Sequence, residues 1–471
     1  MIIRLRKLFL YQNIRIMTKD ELDTLIDQYC SKYAETGKPI QINFRQLVPE
    51  LNVNERYTHL IHSYPAKLLS NIPYFFLHTT RFCPLEGIVL DPFCGTGTVM
   101  LEANASGRFA KGVDANPLAV LIAQVKTTYI QPDKLQRTLN TVMTRARRSK
   151  IEPTENIDPI KKWFSPSTIQ QLTRLEEAID KIHFKDQRRF FLLCFSNLIK
   201  KVSFADPSIS VPVRLNPERF TKSTDRKKAA EFKLKTLQCI DVYEKFEDIC
   251  ELNIRRIESL KPMFESGVKT EIISNDARRL TESYGGCKLL ANESIDMILT
   301  SPPYAGAQKY IRSSWLNLYW LGNKMPEKIR TLKTKSIGRE DYHKSEIKQK
   351  IETGIPAADN VLESLYKEGK NERAYIVGNY LNEMKVALDE CVRVLRKGGS
   401  MVIVIGNNTV CNRPFDTQDY LTTYLQSKGM QLKFKLIDDI KSYGLMTKRN
   451  KTASTISCEW VLVFKKYNNG K

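Results

Sequence analysis

Apolar residues along the chain change their period several times, and each change marks an element. Between residues 18 and 35 they recur at Leu22, Leu25 and Ile26, the spacing of one helix face, with Thr18 as capping hydroxyl and Gly37-Lys-Pro39 as the break. At Ile88 the pattern shortens to a buried run, Ile88-Val-Leu90, ended by Asp91-Pro92 and a turn containing Gly95 and Gly97. A helix is predicted from Thr98 to Ser106, a second strand from Phe109 to Val113, and another helix opening at Asn116-Pro117, where proline's missing N–H costs nothing. Two successive strand–turn–helix units predict a parallel, doubly wound sheet.

Residues 131–265 carry helical periodicity (169–182, 188–201 and 229–257), interrupted by a loop with Pro207, Pro212 and Pro217. Strand patterns return at 270–273 and 295–299, the latter running into Thr300-Ser-Pro-Pro-Tyr304. Residues 321–370 are polar and show no core element, so a basic, mobile loop is expected there. A long helix over 373–396, a strand at 401–405 and two further strands at 431–437 and 458–464 complete the chain, the last two pairing as an antiparallel hairpin at the sheet edge. The expected division is an N-terminal helical extension (1–56), a first α/β part (57–130), a helical insertion (131–265) and a second α/β part (266–471). Seven strands, mostly parallel, would form the sheet.

The chain's 471 residues are 42% hydrophobic, enough for a sizeable core, and 74 Lys and Arg against 52 Asp and Glu give a formal charge of +22. That charge suits a polyanionic partner, because neutralising phosphates releases condensed counterions. Ten scattered cysteines with no C-x-x-C spacing exclude a zinc ribbon and fit reduced thiols in a cytoplasm. The apolar patch at residues 8–11 is too short for a signal peptide, and Met17 is an alternative start. The expected location is cytoplasmic, at a bacterial or archaeal nucleoid.

The glycine turn Asp91-Pro-Phe-Cys-Gly-Thr-Gly-Thr98 sits between strand and helix, where backbone N–H groups meet the carboxyl edge of a sheet. Met100 stands where a dinucleotide fingerprint wants a third glycine, and no Gly-Lys-Ser/Thr follows Gly97, so a cofactor without phosphates fits better. Asp91 can face an ammonium, Asp114 can accept from two ribose hydroxyls, and Asp276 can hold an adenine amino group. In Ser301-Pro-Pro-Tyr304 two prolines stiffen the loop. The Ser301 hydroxyl and the Pro302 carbonyl can accept both hydrogens of an exocyclic amine, and Tyr304 offers a stacking face. His59 and His62 lack a third ligand, which argues against a metal. No cysteine follows a proline, which argues against covalent attack on cytosine C6.

These motifs, with His62-Ser-Tyr-Pro-Ala-Lys67 ahead of them, resemble the amino-group DNA methyltransferases that carry a Ser-Pro-Pro-Tyr catalytic loop, over about 57–130 and 270–465. Glu390 to Gly399 and Glu459 to Lys466 also resemble segments of class I methyltransferases. The resemblance implies a Rossmann-like α/β fold, S-adenosylmethionine as cofactor, no metal, and Ser301, Pro302, Pro303 and Tyr304 as the catalytic loop. It implies a cofactor pocket built from Tyr64, Pro65, Ala66 and Lys67. Asp91, Pro92, Phe93, Gly95, Thr96, Gly97 and Thr98 of the turn would join them, as would Asp114, Ala115 and Asn116. Asp276, Ala277 and Thr300 complete the set. A leading serine in the loop is more typical of cytosine-N4 enzymes than of adenine-N6 enzymes.

The expected substrate is therefore double-stranded DNA, with a flipped cytosine as methyl acceptor, and the expected setting is restriction–modification or genome defence, beside a cognate endonuclease. Residues 321–350 hold nine Lys/Arg against four acids and residues 185–235 thirteen against five, so either can touch phosphates. Three other readings stay open: adenine N6 as target, an RNA guanine-N2 methyltransferase, and a non-catalytic nucleic-acid-binding scaffold.

Overall fold

The computed structural model describes residues 17–48, 56–64, 67–153, 157–221, 223–280, 290–305, 310–322, 326–340, 342–347, 349–439 and 458–467. The ordering principle is a strand alternation that buries both faces. Val89 points to one side and Leu90 to the other, Met297 and Leu299 oppose Ile298, and Val402 and Val404 oppose Met401, Ile403 and Ile405. A strand buried on both faces needs helices above and below it, which parallel connections supply.

The strands are β1 (Ile40–Ile42), β2 (Ile88–Asp91), β3 (Phe109–Val113), β4 (Thr270–Ser274), β5 (Ile295–Thr300), β6 (Leu395–Ile405), β7 (Asn408–Val410), β8 (Arg413–Phe415), β9 (Met430–Asp439) and β10 (Cys458–Lys466). Eight of them form one sheet in the order β1-β9-β10-β6-β5-β2-β3-β4, with β7 and β8 as a separate small hairpin. Only β10 runs against its neighbours. The expected seven strands become eight because Ile40-Gln-Ile42, too short to give a periodic signal, adds in parallel to β9. It also corrects the position of the β9–β10 hairpin, which lies inside the sheet, with β1 as the edge.

The helical stretch 131–265 does not stand apart. Its helices Pro132–Arg148, Pro166–Asp180, Lys185–Lys201 and Val242–Glu258 share one core with Leu118 and Ile122 from the helix after β3, and with Ile311 and Leu316 beyond the Ser-Pro-Pro-Tyr loop. The pattern is plain in Leu135, Leu139, Val142, Met143 and Ala146, all buried on one side of a helix. The single helix expected over 229–257 is two, Thr224–Gln238 and Val242–Glu258. Asp241 divides them, its carboxylate accepting from the Tyr243 and Glu244 N–H groups as an N-cap.

Residues 321–370 also differ from expectation. They contain helices Pro326–Lys335 and Pro356–Lys367, and Ile337, Ile355, Ala358, Leu362 and Leu365 are buried. Ala358, Leu362 and Leu365 fall at helical spacing among polar residues, an amphipathic face that low average hydropathy conceals. Among the described residues no helix is long and apolar enough to cross a membrane.

Candidate active site

β2 is the pivot of the sheet. It pairs with β3 on one side and β5 on the other, so chain direction through the sheet reverses there, and the crevice at such a switch point is where open α/β sheets bind ligands. The glycine turn leaves β2 and the Ser-Pro-Pro-Tyr loop leaves β5, adjacent strands whose ends are joined directly: the Thr300 hydroxyl donates to Asp91 Oδ1 at 2.6 Å. Two motifs some two hundred residues apart thus meet at one edge.

The turn is held from beneath. Phe93 N–H donates to Asp91 Oδ1 at 3.1 Å, Gly95 N–H to Asp114 Oδ2 at 2.9 Å, and Asn116 N–H to Asp114 Oδ1 at 2.8 Å. Gly95 and Gly97 have φ of 50° and 74°, where a side chain would be strained. At Gly97 a Cβ would also come within 2.9 Å of the Ala123 Cβ, so this glycine serves the approach of two helices. Burial pushes the Asp91 carboxyl up to about 7 and that of Asp114 up to about 6.

Above this edge lies a cavity of about 120 Å³, open at its mouth. Its lining takes Tyr64, Pro92, Phe93, Gly95, Asp114, Ala115, Asn116, Asp276, Ala277, Ser301 and Pro303 from the sequence expectation. It adds Asn275, the sequence's alternative to Asp276, and Val113, Ile311, Lys335, Ser336 and Ile337, which sequence reasoning missed. The strap 335–337 comes from the stretch expected to be a loop, and only its lone Ile337 among polar neighbours hinted at an inward turn. Of the remaining expected residues, Asp91, Thr96, Thr98 and Thr300 are buried, and Gly97 turns the backbone beside them, so all five support the cavity without lining it. Pro65 and Ala66 lie outside the described residues.

Lys67 is not on the lining either. Its ammonium donates to the carbonyls of His59 and His62, at 3.2 and 2.5 Å, and burial lowers it to about 8. It fixes the segment that presents Tyr64, whose hydroxyl accepts from Asn116 Nδ2 at 2.8 Å. His59 bonds Glu102 at 2.7 Å and His62 bonds Ser196 at 3.1 Å, and no cluster able to hold a metal occurs among the described residues.

The Ser-Pro-Pro-Tyr loop is split in its placement. Ser301 and Pro303 line the cavity, Pro302 is buried, and the half-buried Tyr304 packs on the sheet-face core with its hydroxyl donating to Glu459 Oε1 of β10 at 2.9 Å. Asp276 differs most from its expected use. Both its oxygens are taken by Arg278, from Nε and from a terminal guanidinium nitrogen, each at 2.9 Å. The same guanidinium donates to Glu383 at 2.8 Å and to the Lys335 carbonyl at 3.0 Å. Arg278 therefore ties the β4 edge of the cavity to its strap, a role with no short-range signature.

The DNA methylase family matches residues 295–470, which begin at β5 and include the Ser-Pro-Pro-Tyr loop. The chain is 24% identical over 445 residues to the type II methyltransferase M.MvaI of Kocuria varians, covering 89% of this chain and 93% of that one. It is 26% identical over 147 residues to the type II methyltransferase M.MjaII of Methanocaldococcus jannaschii, covering 29% and 27% of the two chains. Among solved structures, the rRNA methyltransferase AviRa of Streptomyces viridochromogenes aligns at 11% identity over 88% of this chain and 94% of its own, with a TM-score of 0.25, too low to carry an argument. The family match thus begins at the switch point of the sheet and carries the Ser-Pro-Pro-Tyr loop, and over nearly its whole length the chain is similar to a type II methyltransferase.

Proposed function

We propose that the chain methylates the exocyclic N4 of cytosine in duplex DNA, as the modification partner of a restriction endonuclease. The observation that carries the reading is that Ser301 and Pro303 share one cavity with Gly95 and Asp114. The type II naming of the relative in Kocuria varians supports the restriction–modification setting.

The residues fit the cofactor by their chemistry. Asp114 offers carboxylate oxygens to ribose hydroxyls, and Phe93, Val113 and Ile337 supply the apolar surface an adenine ring needs. The bound cofactor supplies an electrophilic methyl on a sulfonium. The Ser301 hydroxyl and the Pro302 carbonyl accept the two amino hydrogens of the flipped base, which localises the nitrogen lone pair. Tyr304, tethered by Glu459, gives that base a ring to stack on. The nitrogen gains the methyl and loses one proton to solvent, so rate comes from orientation and from these acceptors.

The test is to incubate the purified chain with tritiated cofactor and duplex DNA, digest to nucleosides, and separate them. N4-methylcytosine is expected. Label in N6-methyladenine alone would move the target base, label only in transfer RNA would move the substrate, and no label in any nucleic acid would reject the reading.

A further inference from the structure

Helix Thr224–Gln238 is the least supported long element of the insertion. Of its fifteen residues only Ala230 and Leu237 are buried. It packs on the short turn Pro217–Arg219, to which the Lys227–Glu218 ion pair at 2.8 Å also fastens it. The opposite face is open. Asp225, Lys228, Ala229, Phe232, Lys235 and Thr236 are all exposed, at intervals of three and four that put them on one stripe.

Phe232 sits in the middle of that stripe and is 73% exposed, the most exposed large apolar side chain among the described residues. Lys228 lies one turn before it and Lys235 one turn after, about 10 Å apart along the axis at 1.5 Å per residue. An apolar ring between two cations, on a helix with three sides in solvent, does not complement a protein core. It complements a groove of duplex DNA, whose floor offers thymine methyls and base edges and whose walls are phosphates.

The segment that leads into this helix is linked to the active site through neighbouring elements. Helix Lys185–Lys201 packs on helix Tyr310–Trp320, the first described element after the catalytic loop, and Asn317 Nδ2 donates to the Ser196 carbonyl at 2.7 Å. One turn further, the Lys200 ammonium donates to the Ser210 carbonyl at 2.8 Å, holding the loop that leads to Thr224. We infer that helix Thr224–Gln238 lies in the major groove of the substrate duplex, with Phe232 against base edges and Lys228 and Lys235 on flanking phosphates. The inference rests on duplex DNA being the substrate.

All three side chains are exposed, so substitution leaves the fold intact. The full chain carrying K228E and K235E should bind a mixed-sequence 30-base-pair duplex at least 10-fold more weakly. The slope of log affinity against log salt should shrink by about 2, since each phosphate contact contributes about 0.9. Phe232→Ala should raise KM for DNA about 10-fold in tritium transfer to bacteriophage DNA. In every variant the Kd for S-adenosylmethionine should match wild type. Variants that bind and methylate DNA like wild type would overturn the inference while leaving the substrate intact. A wild-type chain that binds the cofactor but neither binds nor methylates duplex DNA would remove the substrate, and the inference with it. Loss of self-association by Phe232→Ala with duplex binding unchanged would mark the face as a contact between copies and would also overturn it.

Discussion

The two walls of the cavity are built in opposite ways. The wall at the ends of β2 and β3 is local: Asp91 binds Phe93 two residues on, Asp114 binds Asn116 two residues on, and Asn116 caps the helix that follows at Leu118. The wall at β5 is assembled from far apart: Tyr304 reaches Glu459 on β10 and Asn408 holds the Ala305 carbonyl, while the strap, tied by Arg278 to Glu383 and to the β4 end, bridges the two walls. A local wall forms with its own turn, while the distant one exists only once β6 and β10 are in place. The first should therefore govern cofactor affinity, and the second turnover on DNA.

The largest effect tests the distant wall. Tyr304→Ala removes both the stacking ring and the Glu459 tether. With base–aromatic stacking worth about 1–3 kcal/mol, kcat on duplex DNA should fall roughly 100-fold. Calorimetry should find cofactor affinity within two-fold of wild type. An equal loss in cofactor binding would show that the walls are not separable.

Asp114→Asn is the counterpart. The carboxylate accepts from two backbone N–H groups, and an amide can accept with only one of its two terminal atoms. Charged hydrogen bonds are worth about 1.5–3 kcal/mol, so the Kd for S-adenosylmethionine should rise about 30-fold. Turnover at saturating cofactor should change only a few-fold. A collapse of kcat with unchanged Kd would reverse the assignment of the two walls.

What was legible in the sequence follows the same division. Gly95, Gly97, Asp91 and Asp114 sit in short patterns whose cause is local, so a strand, a turn and a cap announce them. Ser301-Pro-Pro-Tyr304 was equally readable, because two prolines after a strand permit few conformations. β1 was invisible, since three residues give no period and its support is β9, nearly four hundred residues away. The strap 335–337 left only the hint of Ile337, because its inward turn depends on Arg278 and on the core that Ile337 shares with Ile355 and Leu362. The exposed stripe around Phe232 lay inside a basic segment already noted, yet only the helix boundary at Asp241 shows which residues share a face.

A smaller effect comes from pH. Burial raises Asp114 to about 6 and Asp91 to about 7, above the ordinary 3.8 they regain when unfolded. The folded chain thus holds more protons than the unfolded one between those values. The stabilisation these groups give is complete below pH 4 and is lost as pH rises through 6 and 7. With Asp114 accepting from ribose hydroxyls, as proposed, binding would favour its ionised form, so affinity should climb about 10-fold from pH 5 to 7.5, one pKa unit of coupling being about 1.4 kcal/mol. Calorimetry across that range, repeated with Asp114→Asn, should show the rise in wild type and a shallower one in the variant. A flat wild-type profile would mean that the local wall does not meet the ligand through its charge.

The smallest effect is the most informative about how the walls are joined. Arg278 belongs to both: it occupies Asp276 at the end of β4 and holds the Lys335 carbonyl of the strap. Arg278→Lys keeps the charge but loses the planar fork, so one ammonium must choose between Asp276, Glu383 and the strap. Losing one such bond costs about 1 kcal/mol, which predicts about a five-fold rise in KM for S-adenosylmethionine. kcat on DNA should stay near wild type, because Ser301 and Tyr304 are held from β5 and β10. The pH profile should keep its form, since Asp114 does not touch Arg278. A fall in kcat without a change in KM would instead place the strap with the DNA-facing wall, and the division between a cofactor side and a base side would run along β4 rather than between β2 and β5.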